Sequence, residues 1–267
     1  MFISWTSVVN FVYVNGALLV TTVLHHYYSD EYASLTAASL TAASLIARNY
    51  LLLGFVHLTI RNAQDISPVT ASAWLSPDVH MHVVTSSCME AATFLFVRNR
   101  LLVDTGFSAV DIVYFVPMSL LFEVLLDLFH YWSHRALHAW PLIYQYTHKT
   151  HHKYPHPQIL HAYYHSPADL LITNSVPTVC AILLTQRVFH ITSFQFTALM
   201  VYKSYTEIMG HSGKKIKTCS FPQCIWLPRI LRMPLHIKDH DLHHSLGNCN
   251  YSKRFSIWDR LHGTMRE

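Results

Sequence analysis

Two stretches of the chain hold histidines at spacings that suit metal coordination. Nine of the 21 histidines fall between His130 and His165, where even spreading would put about three, and four more fall between His236 and His244. The first stretch reads HYWSHRALHAWPLIYQYTHKTHHKYPHPQILHAYYH and the second HIKDHDLHH. Residues three and four apart project from one face of an α-helix, so His130, His134 and His138 would share a face, as would His161 and His165. The HxxHH runs His148, His151, His152 and His240, His243, His244 would each aim two or three imidazoles at one point. Neutral imidazole binds iron, zinc and copper, and eight or more histidines exceed the roughly four to six positions of a single ion. The pattern implies two metal ions. A lone histidine on an apolar face is ordinarily a hydrogen-bonded core residue, and His25, His26, His57, His80, His82, His190 and His262 are read that way.

The elements that must carry these boxes are apolar. Of the 267 residues 51% are hydrophobic and 13% charged, and the mean hydropathy is +0.22, too apolar for a typical soluble domain. Apolar stretches run about Trp5 to Leu24, Ala43 to Ile60, His82 to Val97, Ala109 to Phe129, Pro167 to Leu184 and Ile191 to Met209. A full crossing needs about 20 such residues. Glu90, Glu123 and Asp127 interrupt these runs, and an acidic group in a membrane helix is costly unless it faces the bundle interior or a polar site. The expected fold is an all-α membrane protein with about four transmembrane helices. The two segments after Ser166 would form a re-entrant hairpin, and a helical, histidine-rich di-metal site would cap the bundle on its cytosolic side. Residues 1–108 would supply N-terminal membrane helices and 109–267 the catalytic domain.

The first residues, MFISWTSVVNFVYVNGALLV, lack the basic start of a secretory signal, so this stretch is read as a retained helix. The run ASLTAASLTAASL at 33–45 sets small residues along the second apolar segment, where they permit close helix contact or are simple low-complexity drift. Eleven of the nineteen Lys and Arg residues, counting Lys217, lie from Lys203 onward, and basic flanks favour the cytosolic face. A membrane surface explains these charges without nucleic-acid binding, for which no module signature exists. Five cysteines without paired CxxC spacing are read as reduced thiols, with Cys219, Cys224 and Cys249 as an alternative zinc set.

From about Leu120 to its end, the chain resembles the sterol desaturase and fatty acid hydroxylase superfamily of membrane-bound histidine-box di-iron oxygenases. Its first box, an aromatic-Trp-x-His-Arg run followed by a second histidine, is matched by Tyr131-Trp132-Ser133-His134-Arg135-Ala136-Leu137-His138. The second is matched by His148-Lys149-Thr150-His151-His152, and a later His-Pro element resembles His165-Ser166-Pro167. Glu207 to His211-Ser212-Gly213 and His240-Asp241-Leu242-His243-His244 fill the remaining boxes. Asn250-Tyr251 and Trp258-Asp259-Arg260-Leu261-His262-Gly263-Thr264 fill the characteristic tail. The resemblance implies His134, His138, His148, His151, His152, His165, His211, His240, His243 and His244 as ligands of two iron ions. His130 and His161 depart from the pattern, each either a ligand or a neighbour that holds one.

The resemblance also implies hydroxylation or desaturation of an unactivated C–H bond of a sterol, fatty acyl or sphingoid lipid with O2. Redox iron supplies the oxidising power such a bond requires, whereas zinc fits the same ligands but cannot change oxidation state, so a zinc-filled form would be substituted or resting. Asp127, Glu207, Asp239 and Asp241 are expected to orient imidazole N–H groups or to be solvated charges. Tyr131, Trp132, Tyr144, Tyr146, Tyr163 and Tyr164 would wall a substrate channel or anchor helices at the interface. No GxGxxG, haem or flavin motif is present, so electrons from NAD(P)H must arrive through a partner, which the resemblance implies to be cytochrome b5 at the endoplasmic reticulum. The alternative from another class is a histidine-rich membrane metal transporter or sensor, which would place its ligands at mid-bilayer; a metal-dependent hydrolase is a third.

Overall fold

The computed structural model describes residues 5–30, 35–68, 71–102, 108–216 and 220–267. Among them there is no β-strand beyond one isolated bridge between Asp65 and Lys214. Four long helices come first: α1 (Trp5–Asp30), α2 (Leu35–Ile60), α3 (Pro77–Leu101) and α4 (Ala109–Ala139). Short pieces follow: α5 (Pro141–Tyr146), 3-10 turns at His148–Lys153 and Ile159–Tyr163, and α6 (Pro167–Leu170), which runs through a π turn at Leu171–Ser175 into α7 (Val176–Thr185). Then come α8 (Ser193–Gly210), α9 (Leu227–Ile230), α10 (Ile237–Leu246) and α11 (Ile257–Leu261). Helix starts carry ordinary caps: Ser76 accepts the Val79 N–H ahead of Pro77, and Asp111 reaches back to the Ser108 N–H at 2.7 Å.

Among the described residues, four helices are long and apolar enough to cross a bilayer: Trp5–Tyr27, Ala38–Ile60, Val110–Ala139 and Pro167–Thr185. That agrees with an integral membrane protein of about four spans. The set differs from the expected one in that α3, which carries Asp78, Glu90, Arg98 and Arg100, is not among them, whereas α6 and α7 join through the π turn into one span. On α1 the exposed residues include Val9, Val12, Leu19, Val20 and Val23, a face suited to lipid. Helix α8 is buried along almost its whole length and is the axis of the bundle, packed by α1, α2 and α4.

The acidic interruptions face inward, each with a partner. Glu90 meets Arg48 at 2.7 Å, Glu123 meets Arg254 at 2.8 Å, and Asp127 accepts the backbone N–H groups of Lys253, Arg254 and Phe255. Glu207 is surrounded by Lys203, Lys253 and Arg254. Removing Glu90 would leave the buried Arg48 guanidinium without a carboxylate, a costly change. The Glu123, Asp127 and Glu207 contacts fasten the C-terminal loop at 253–255 onto α4 and α8, and Glu90 ties α3 to α2. The length of α4, 31 residues or about 46 Å, exceeds the roughly 30 Å hydrocarbon core, so some of its turns must extend beyond it, and the last turns carry the histidines. His134 and His138 lie on those turns.

Candidate metal centre

The ten histidines named from the boxes come together at the end of α4. Set one holds His134 and His138 from α4, His148 and His152 from the 3-10 turn, and His243 from α10. Set two holds His151, His211 at the end of α8, and His240 and His244. In each set the ligand atoms all lie within 4.8 Å of one another. Both HxxHH boxes therefore split between the sets instead of aiming at one point. On α10 the reason is helical pitch: His240 and His244 differ by about 40° around the axis, whereas His243 and His244 differ by about 100°.

The hydrogen bonds decide which nitrogens face inward. Nδ1 of His134 lies 2.8 Å from the Tyr251 carbonyl, that of His243 2.7 Å from the Cys249 carbonyl and that of His211 2.8 Å from the Glu207 carbonyl. A carbonyl only accepts, so each Nδ1 carries the proton and each Nε2 presents a lone pair. These lone pairs converge. In set one, Nε2 of His134 and His148 are 2.9 Å apart, His148 and His152 3.2 Å, and His152 and His243 3.1 Å. In set two, His211 and His240 are 3.0 Å apart, His240 and His244 3.2 Å, and His151 and His211 3.4 Å. Nitrogens held about 2.1 Å from a common ion at octahedral to tetrahedral angles stand roughly 3.0–3.4 Å apart. The sets fit one metal ion each, and without a cation their facing lone pairs would repel.

The electrostatics agree. Burial first, and the neighbouring imidazoles second, hold His151, His240, His243 and His244 well below the ordinary histidine range. Burial and His243 push His152 down to about 2, and burial and Lys253 push His211 down to about 3. All are neutral at pH 7, the form that ligates.

His165 is placed differently from the other nine. Its ring stacks on His151 at 4.1 Å, and both nitrogens are engaged, Nδ1 with Asp169 Oδ2 at 2.7 Å and Nε2 with the Ala162 carbonyl at 3.2 Å. Asp169 also takes Nδ1 of His148 at 2.8 Å. None of Asp127, Glu207, Asp239 or Asp241 orients a clustered imidazole through its carboxylate. Asp239 caps α10 through the His236 N–H, Asp241 meets His156 at 3.0 Å, and Glu207 contributes its backbone carbonyl. Asp169 went unread, although its place four residues after His165 is the spacing of a helical pair.

His130 and His161 lie outside both sets. His130 donates to the Thr173 carbonyl at 2.7 Å, and His161 stacks on Tyr154 at 3.7 Å while its Nδ1 accepts the Gln158 N–H. Of the lone histidines, His80 bonds Tyr50 and Trp74, and His82 stacks on Tyr164. Of the six aromatic residues singled out, Tyr144 touches His138, and Trp132 and Tyr146 are exposed. Cys224 and Cys249 enter no metal-binding group among the described residues, and Cys219 and Lys217 lie outside them.

The tail motif works through backbone. Gly247, at φ 71°, stops α10 and turns the chain back so that Cys249 and Tyr251 present carbonyls to His243 and His134. Asp259 accepts the N–H groups of Tyr251 and Ser252 at 2.8 Å. Asp127 holds the following residues from the other side. The left-handed Asn250 bonds Asp239 and Arg266 with its amide.

Comparison with known proteins agrees with this architecture. Residues 119–264, more than half of the chain, match the family model described as fatty acid hydroxylase. The chain is 38% identical over 149 residues to a fatty acid hydroxylase of a Lecanicillium species, covering 54% of this chain and 40% of the relative. It is 36% identical over 142 residues to a methylsterol monooxygenase of Aspergillus fumigatus, covering 53% and 45%. It is 31% identical over 170 residues to a Delta(7)-sterol 5(6)-desaturase of Gibberella zeae, covering 64% and 48%. The chain thus spans less than half the length of these relatives. No solved structure matches it significantly. With more than half of its residues matched and the histidine sets in place, the chain belongs to the fatty acid hydroxylase family.

Proposed function

We propose that this protein is a membrane-bound di-iron oxidoreductase that uses O2 to hydroxylate or desaturate an unactivated C–H bond of a lipid. The observation that carries the reading is the convergence of nine imidazole ligands into sets of five and four beside the end of α4. Bound iron supplies the redox chemistry that activates O2 against such a bond. His134, His138, His148, His152 and His243 hold one ion, and His151, His211, His240 and His244 the other. His165 backs His151 from the Asp169 side and is the tenth member. The carbonyls of Tyr251, Cys249 and Glu207 and the Asp169 carboxylate fix tautomer and ring orientation.

Electrons come from NAD(P)H through a separate carrier, cytochrome b5 or its equivalent. Lys215 and Lys238, beside Lys214 paired with Asp65 and Arg260 paired with Glu267, line a surface cavity of about 430 Å³ beside α10, where their charge would steer an acidic protein. The basic C-terminal half supports a site facing the cytosol, and the family resemblance a place in the endoplasmic reticulum membrane. A metal transporter or sensor is disfavoured because the sets stand at helix ends, not along a path through mid-bilayer. Elemental analysis of detergent-purified protein tests the reading, together with O2 consumption by the reduced enzyme over a panel of fatty acyl, sphingoid and sterol lipids. Fewer than two metal ions per chain would overturn it.

A further inference from the structure

A second cavity, of about 430 Å³, lies between the N-terminal helices and α8, in the size range of lipid and cofactor pockets. Phe11 of α1, Ile60 at the end of α2, Tyr205 and Met209 of α8, and Trp226 just before α9 form its walls. Phe11 and Trp226 touch, with ring centroids 5.1 Å apart. Arg229 lines the same cavity, is exposed, and pairs with no carboxylate among the described residues. Met209 also lines a narrow cavity of about 30 Å³ bounded by His211 and His240 of set two. Met209 is common to the linings of both cavities, and methionine side chains yield readily.

We propose that this chamber binds the substrate, and that the substrate is a single-chain lipid with an anionic head, its head paired with Arg229 and its tail directed past Met209 toward His211 and His240. An unpaired cation at the mouth of an aromatic-walled pocket suits a carboxylate on an alkyl chain, whereas a neutral sterol leaves that charge unanswered. Phe11 and Ile60 come from outside residues 119–264, so the chamber is half built by helices the family match does not include. The proposal rests on the di-iron reading for the fate of the tail but not for binding.

The test is quenching of tryptophan fluorescence by a dibrominated stearate and by the matching dibrominated stearyl alcohol. It uses the full chain in detergent, with metal content measured on the same sample. Saturable quenching by the stearate is expected, and its saturable part should shrink in Trp226→Phe, which leaves the other five tryptophans. Arg229→Glu should weaken stearate binding by about tenfold or more while leaving the alcohol unchanged, and Arg229→Lys should restore it. Equal affinity for acid and alcohol in the unaltered protein and in Arg229→Glu, or saturable quenching undiminished in Trp226→Phe, would overturn the proposal. Stearate binding in a sample with fewer than two metals sustains the chamber and sinks only the di-iron reading.

Discussion

Oδ1 of Asp169 stands 2.8 Å from Nδ1 of His148, and the carboxylate is completely buried where it does so. Its other oxygen holds His165, which stacks on His151, so one side chain braces a member of set one and a neighbour of set two. Thr173, in the π turn that follows α6, donates back to Asp169. Such turns are uncommon and cluster at functional sites; this one anchors the carboxylate between the two halves of the centre.

Asp169→Asn keeps the shape but removes the anion that holds His148 in the ligating tautomer. Metal affinity should fall about 10- to 100-fold, the ordinary effect of losing a carboxylate behind a ligating histidine. Competition against a graded set of chelators reads this directly. Affinity within twofold of the unaltered protein would show that His148 is held by its other contacts.

The division into two sets predicts selective losses. His243→Ala removes a ligand from set one and His240→Ala one from set two, so each should reduce the bound metal from two ions to about one per chain. His82→Ala, which removes a stack on Tyr164 and a bond to the Asp78 carbonyl away from both sets, should retain both. Elemental analysis of the three variants decides. Loss of all metal from both ligand variants, with His82→Ala intact, would show the sets to be one cooperative site.

How much of this was legible in the chain depends on range. His134 and His138 share a face of α4 because both lie on one regular helix, and four-residue spacing is enough to say so. The partition of His151 from His148 and His152 was not legible, because that box lies on a 3-10 turn and its members are sorted by what packs around them. The carbonyls of Tyr251 and Cys249 carry no side-chain signature at all. The spans were read by apolar count, which admitted α3; its Glu90 proved to serve the buried pair with Arg48. The Asp169 brace spans 21 residues to His148 and crosses a change of helix type, beyond any local pattern.

The neutral histidines give the metal-free protein a definite pH response. Their folded-state affinities for protons lie below the unfolded value of about 6.5, so between that pH and about 3 the unfolded chain binds more protons. Stability is therefore unaffected by these groups above about pH 6.5 and falls as the pH drops below it. Each such histidine costs up to about 1.4 kcal/mol per pH unit. Thermal midpoints of chelator-stripped protein should be flat from about pH 8 to 7 and fall steeply toward about pH 5.5. Bound metal should move the fall to lower pH, because metal and protons compete for the same nitrogens. A midpoint independent of pH through this window would mean that the histidines are not buried as described.

Gly247 offers the cleanest separation of backbone from side chain near the centre. A Cβ added there would find only the His138 ring, at 3.9 Å, so Gly247→Ala meets no collision. Its cost is the left-handed backbone at φ 71°, worth about 1–2 kcal/mol for an L-residue. That strain falls on the turn that delivers the Cys249 carbonyl to His243 and the Tyr251 carbonyl to His134. The thermal midpoint should drop by several degrees, with metal lost from set one before set two. Gly247→Asn, which tolerates this conformation better, should recover much of both. Metal loss from set two first would show that the turn does not position His243 and His134, and that α10 alone does.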